Sequence, residues 1–191
     1  MTHLEEYRYL IKHREVIVGE YLEKEIDRLY EDLQNPRYFY DTTEADKRIA
    51  FQEALCLQSK QPYYMKPIKL MPWQKAWWEA LYSFRMESDK KRRFQEGLLV
   101  IARKNGKSSM FAADGNTDLF IGSGGADLCC ASNDDRQCRL IWEELGGMRA
   151  RLDPKNVTTR TNLTRHVNFK KNINVFRLSN KQKEKDGFNI S

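Results

Sequence analysis

An α/β fold is predicted for this 191-residue sequence by two observations. Through the first third, apolar residues recur at helical spacing. After Gly97 the period changes, and short apolar runs alternate with amphipathic stretches. Strand–helix–strand–helix–strand, preceded by helices, is the pattern of a parallel sheet with helices packed on it. The expected division is a helical N-terminal segment over residues 1–60 and a sheet-containing domain over residues 61–191. Hydrophobic residues make up 40% and charged residues 31%, a polar-leaning globular balance. Lys+Arg minus Asp+Glu is 33 − 27 = +6, which suits phosphate or nucleic-acid partners without requiring them. No apolar run approaches the length of a membrane span, and Met1 to Glu6 carries two acids where a signal peptide needs a basic, then apolar, start. These features argue against a membrane or secreted protein and for the cytoplasm.

The elements follow in order. A short helix is expected around Leu4 to Lys12. A longer one carries Val18, Leu22, Ile26, Leu29 and Leu33 at spacings of four and three, and Asn35-Pro36 stops it. Asp41, with Glu44 three residues on, reads as the cap of a helix bearing Ile49, Phe51, Ala54 and Leu55. A Pro/Tyr/Lys-rich connector covers Gln61 to Lys69. Pro72 then opens a helix whose face is expected to be Trp73, Trp77, Leu81 and Phe84. Leu98 to Ala102 is an unbroken apolar run, the mark of a strand covered on both faces. Arg103 to Gly106 is a polar turn. Lys107 to about Phe120 is a helix with a turn signal, Asp114-Gly115-Asn116, inside it. Ala126 to Ala131 is a second strand, and Cys138, Ile141, Trp142 and Leu145 mark a helix capped at Asn133 or Asp134. Two alternating segments, Val167 to Phe169 and Ile173 to Leu178, precede a polar end with Lys181, Lys183 and Lys185.

The four cysteines and three histidines have no zinc-ligand spacing, and adjacent Cys129 and Cys130 read as reduced packing residues. The chemistry lies elsewhere, in Ala102-Arg103-Lys104-Asn105-Gly106-Lys107-Ser108. A phosphate-binding loop surrounds a triphosphate with backbone N–H groups where a helix N-terminus adds partial positive charge. A lysine meets the β- and γ-phosphates, and a Ser or Thr hydroxyl ligates Mg²⁺. Lys107 and Ser108 fit those roles. The full signature has a glycine where this chain has Ile101, and Asn105 is expected to supply turn flexibility in its place. A bare Gly-Lys-Ser is a weak signal, strengthened by its place between an apolar run and a helix.

This stretch resembles the deviant Walker A of tailed-phage terminase large subunits, the ATPases that package DNA. The opening Glu15 to Tyr21, Leu70-Met71-Pro72-Trp73-Gln74, the segment Ala126 to Gln137, and Ser179 to Asn189 are similar to successive parts of the same family. The resemblance implies an ASCE-type P-loop NTPase fold that binds ATP and Mg²⁺. Lys107 is then the β/γ-phosphate lysine and Ser108 the metal ligand. Arg103, Lys104, Asn105, Gly106 and Ser109 complete the cradle, with Arg103 also a candidate to neutralise γ-phosphate charge. Gln74 is placed to read adenine. Implied partners are double-stranded viral DNA, the terminase small subunit, the portal protein and further copies of the chain, in the host cytoplasm. Arg103 and Lys104 read equally as a solvated turn, and Lys90 to Arg93 as a solvated charge run or a DNA contact. The family's next element is a strand ending in Asp-Glu, and this sequence stops at Asn189-Ile190-Ser191, so a C-terminally truncated, incomplete sheet is expected. Leu98 to Ala102 is then expected to lack sheet partners, with low stability and solubility. Three functions stay open: a packaging ATPase, a binding module without hydrolysis, and an unrelated P-loop protein.

Overall fold

Local propensity sets most of the helices, and packing sets the sheets. The computed structural model describes residues 1–132, 134–162 and 165–179. In order, the elements are α1 (His3–Lys12), α2 (Glu20–Asp32), β1 (Tyr38–Tyr40), α3 (Thr43–Leu55), α4 (Pro72–Ser83), β2 (Phe84–Met86), α5 (Lys107–Ile121), β3 (Asp127–Ser132), α6 (Asp135–Leu152), β4 (Thr159–Thr161), β5 (Arg165–Asn168) and β6 (Ile173–Ser179). The polar end at Lys181 to Lys185 and the cap alternative Asn133 lie outside the described residues.

Contacts divide the chain into two units: Met1–Ala50 with Lys69–Val100, and Phe51–Ile68 with the chain from Ile101 onward. The first unit has a core of Leu4, Tyr7, Ile11, Ile26, Leu29, Ala76 and Phe84. Only Ile26 and Leu29 of the expected α2 stripe are buried, and Leu22 is exposed. The two ends of that stripe, Val18 and Leu33, are half-buried and pack against the same core. The polar face of α2 turns to α1, where Asp27 holds Arg8 at 2.9 Å and Lys12 at 2.7 Å. In α4 the expected face is corrected: Ala76, Trp78, Glu79 and Tyr82 are buried, while Trp73, Trp77 and Leu81 are half-buried. This helix is apolar nearly all round, so periodicity alone does not choose its inner side. Strands β1 and β2 pair antiparallel, Tyr38 opposite Met86 and Tyr40 opposite Phe84, a ribbon that no sequence signal announced. In the basic run, Arg93 is tied inward, 2.8 Å from Asp32 and over the Tyr38 ring, whereas Lys90, Lys91 and Arg92 are exposed.

The second unit holds a four-stranded sheet in the order β3-β6-β5-β4. It is mixed rather than parallel. Only β3 and β6 run parallel, with Leu128 opposite Val175 and Cys130 opposite Arg177; β5 joins β6 and β4 joins β5 antiparallel. The tight turn between β5 and β6 forces antiparallel pairing, because a parallel return needs a long crossover.

Helix α5 runs unbroken through Asp114-Gly115-Asn116. A Cβ on Gly115 would sit 2.6 Å from Leu145 Cδ1, so the glycine permits α6 to approach. The Asn116 amide donates to the carbonyls of Ala112 and, across that contact, Leu145. Residues that read as a turn are thus a helix–helix joint. Leu98 to Ala102 forms no strand among the described residues, and Leu98 and Val100 are 85% and 82% exposed. The buried-strand expectation fails because no neighbouring strand takes up its backbone groups.

Candidate functional site

Residues 103–107 are exposed and lead directly into α5. Two residues take left-handed backbone angles, Lys104 at φ 68° and Gly106 at φ 73°. The flexibility expected of Asn105 falls instead on its two neighbours. Asn105 closes the loop through its side chain, whose amide donates to the Ala102 carbonyl at 3.2 Å. A lysine in this region carries a steric penalty of about 1 kcal/mol that glycine avoids.

Gly106 is the N-cap of α5, and no side chain caps that end. The first turn contains no acid and begins with Lys107. Helix starts favour acceptors and negative charge, because the first N–H groups have no intrahelical partner. A lysine without any acid in the first turn of a 15-residue helix reverses the charge preference, and the glycine cap supplies no side-chain acceptor. What such a terminus accommodates is an anion, with Lys107 adding a point charge. Ser108 is half-buried beside it.

Ser109 behaves differently from its neighbours. Its hydroxyl donates to Oε1 of Glu144 on α6, a short contact between two partly buried groups. Glu144 is 4% exposed, and the same oxygen accepts from Ser59 Oγ at 3.1 Å. Lys60 Nζ lies 3.7 Å from its other oxygen. Sequence reasoning missed Glu144. A signal exists: it lies three residues from Ile141 and four from Met148, a carboxylate inside an apolar stripe.

Gln74, in the first unit, is 6% exposed, and its Oε1 accepts from the Met71 backbone N–H at 2.8 Å, closing the start of α4. Among the described residues one group of potential metal donors comes together, His3, Asp46 and Glu79 within 4.8 Å. The carboxylate of Glu79 is already engaged. It accepts from the backbone N–H of His3 at 2.8 Å and of Leu4 at 3.0 Å, and from the Tyr40 hydroxyl. Burial and the adjacent Glu79 carboxylate push the Tyr40 hydroxyl far above its usual range, so it stays a donor. The group is a helix cap. The four cysteines are free thiols; burial pushes those of Cys56 and Cys130 up to about 12, as expected for packing residues.

A family model described as "Terminase large subunit, ATPase domain" matches residues 72–190. The chain belongs to this terminase family. The matched span begins at Pro72 of α4 and includes the whole loop and both strands of the parallel pair. Among solved structures, the crystal structure of the HK97 bacteriophage large terminase is similar to it, with a TM-score of 0.62 and 22% identity over 76% of this chain. At that identity the likeness establishes a shared α/β fold. The match spans 29% of the HK97 chain. No curated protein sequence matches. No helix among the described residues is long and apolar enough to cross a membrane.

Proposed function

We propose that this terminase ATPase region binds Mg·ATP at the loop 103–109 and serves in the motor that drives double-stranded viral DNA into a capsid precursor. The observation that carries the reading is the start of α5: a left-handed glycine, no cap, no acid, and a lysine at the first helical position. Backbone N–H groups of Gly106, Lys107 and Ser108 cradle the β-phosphate, and the Lys107 ammonium meets the β- and γ-phosphates. Arg103 and Lys104, exposed on the loop, add positive charge from the solvent side. The Ser108 hydroxyl is the metal-ligand candidate. Mg²⁺, when bound with the nucleotide, would supply positive charge against the phosphates. Asn105 keeps the loop closed, Ser109 anchors the first turn, and Gln74 is proposed for the adenine edge. The family relationship supports the small subunit, the portal protein and further copies of this chain as partners in the host cytoplasm. On this reading residues 61–191 carry the nucleotide chemistry and residues 1–60 form the helical appendage.

A second reading, a module that binds nucleotide without hydrolysing it, shares this binding step. Calorimetric titration of the chain with Mg·ATP, beside Lys107→Ala, tests the binding common to both. Saturable binding that disappears in the variant is expected, and equal binding by the two proteins overturns the assignment. Phosphate release by the wild-type chain then separates motor from module.

A further inference from the structure

Glu144 stands out among the charged side chains of the second unit. It is buried on α6, its carboxylate receives only two hydroxyl donors, and its Oε2 has no hydrogen-bond partner among the described residues. Lys60 faces that oxygen at 3.7 Å from an exposed position. Desolvating a carboxylate for so little return is unfavourable, and an apolar residue at this point of the stripe would pack more cheaply. The two hydroxyls it gathers come from separate places. Ser109 belongs to the first turn of α5, next to Lys107 and Ser108. Ser59 belongs to a hairpin-like connector closed by Ile68 N–H to Cys56 O at 2.9 Å, Gln58 N–H to Lys66 O at 2.8 Å and Met65 N–H to Gln58 O at 2.9 Å. A second grip from the same helix, the Arg151 guanidinium 5.5 Å from the Tyr64 ring, holds the tip of the connector. That tip exposes Tyr63, Tyr64 and Met65.

We propose that Glu144 is a positioning residue. It fixes the rotation of the first turn of α5, so that the loop N–H groups and Lys107 face the phosphates. Because Ser109 and Ser59 share one acceptor oxygen, it also ties that turn to the connector 56–68, so that nucleotide occupancy tightens the connector. The inference rests on reading loop 103–109 as the nucleotide site. No carboxylate lies within the first turn of α5, so the only acid that touches this turn among the described residues comes from another helix. A like charge beside the phosphates would repel them; an acid on α6 that meets the turn at Ser109 orients it without crowding the ligand.

The test is amide hydrogen exchange and Mg·ATP titration on the full 191-residue chain, with Glu144→Ala, Glu144→Gln, Ser109→Ala and Ser59→Ala. Without nucleotide, Glu144→Ala is expected to raise exchange together in residues 110–113, whose N–H groups bond to the carbonyls of the first turn, and in 56–68. With nucleotide, it weakens affinity about tenfold, the size of one lost charge-assisted hydrogen bond. Glu144→Gln keeps an oxygen acceptor for both hydroxyls and recovers most of that affinity. Ser109→Ala reproduces the affinity loss, whereas Ser59→Ala abolishes the protection of the connector by nucleotide and lowers affinity only by the factor of that protection. If Glu144→Ala loosens the connector but leaves residues 110–113 and the affinity at wild-type values, Glu144 is a structural anchor and the proposal is overturned. Should the wild-type chain bind no nucleotide, or Lys107→Ala bind equally, the nucleotide reading fails. The Glu144 link is then decided by exchange alone, and unchanged exchange at 110–113 in Glu144→Ala and Ser109→Ala sinks it. The single-hydroxyl variants keep the test open if Glu144→Ala does not fold.

Discussion

Helices α1 and α5 begin in opposite ways. At α1 every early N–H has an acceptor: His3 and Leu4 donate to Glu79, Glu5 donates to Thr2 Oγ1 at 3.2 Å, and Glu6 donates to the Thr2 carbonyl at 2.9 Å. The Glu5 carboxylate reaches back to the Thr2 N–H at 2.7 Å, completing a capping box. At α5 the cap is a glycine without a side chain, and a cation follows it. The first terminus is satisfied by the protein and stabilises the fold. The second has no side-chain cap and no acid in its first turn, the feature on which the proposed phosphate site rests. A helix start that violates the capping preferences is informative about function, whereas one that obeys them is informative about stability.

The largest expected effect on this contrast comes from Glu79→Ala. It strips acceptors from two helical N–H groups and from the half-buried Tyr40 hydroxyl, and is expected to lower unfolding free energy by about 3 kcal/mol, read from denaturant midpoints. Acid gives an effect of similar size by a different route. His166, 2% exposed and stacked on Trp142 at 3.9 Å, has its pKa lowered to about 4, first by burial and then by Arg149. The folded state therefore prefers the neutral ring. Its stabilisation is complete above the unfolded value near 6.5 and is lost as pH falls from there towards 4, on the order of 3 kcal/mol in total. His166→Gln is expected to flatten the stability profile across that window, and an unchanged slope would contradict the assignment.

Asp134→Ala sharpens the comparison with a third terminus. Asp134 caps α6 by accepting from the Arg136 N–H at 2.9 Å, and its loss is expected to cost about 1 kcal/mol in thermal or chemical denaturation. Lys107→Ala sits at the small end for stability. Removing a cation from the positive end of a helix is expected to raise unfolding free energy by up to about 0.5 kcal/mol. A clear destabilisation by Lys107→Ala would mean that the lysine is engaged by the fold, and the contrast between α1 and α5 would collapse.

Much of this was legible in the sequence. The stripe through Ile26 and Leu29, the stop at Asn35-Pro36, the proline opening α4, the Gly-Lys-Ser start of α5 and the Asp134 cap of α6 each rest on residues within a few positions of one another. Asp114-Gly115-Asn116 was misread because local turn chemistry and a close helix contact use the same residue types. Gly115 is small for Leu145, and Asn116 spans to its carbonyl. The apolar run at Leu98 to Ala102 signalled a covered strand, yet a strand needs a neighbour and none of the described segments provides one. For the family assignment, the loop and its surroundings were enough to raise the expectation, and the match over residues 72–190 decided it.

What the sequence by itself determined is where most of the helices begin and end and which residues make up the loop, because helical period, capping and turn preference act over one or two turns of chain. The tertiary structure alone decided the partners of the buried carboxylates. Glu79 meets backbone groups more than seventy positions away, and Glu144 gathers hydroxyls from residues 35 and 85 positions distant. It also decided that the sheet is mixed and which side of α4 turns inward. A buried charge is selected by the faces that pack around it, and no interval along the chain encodes that meeting.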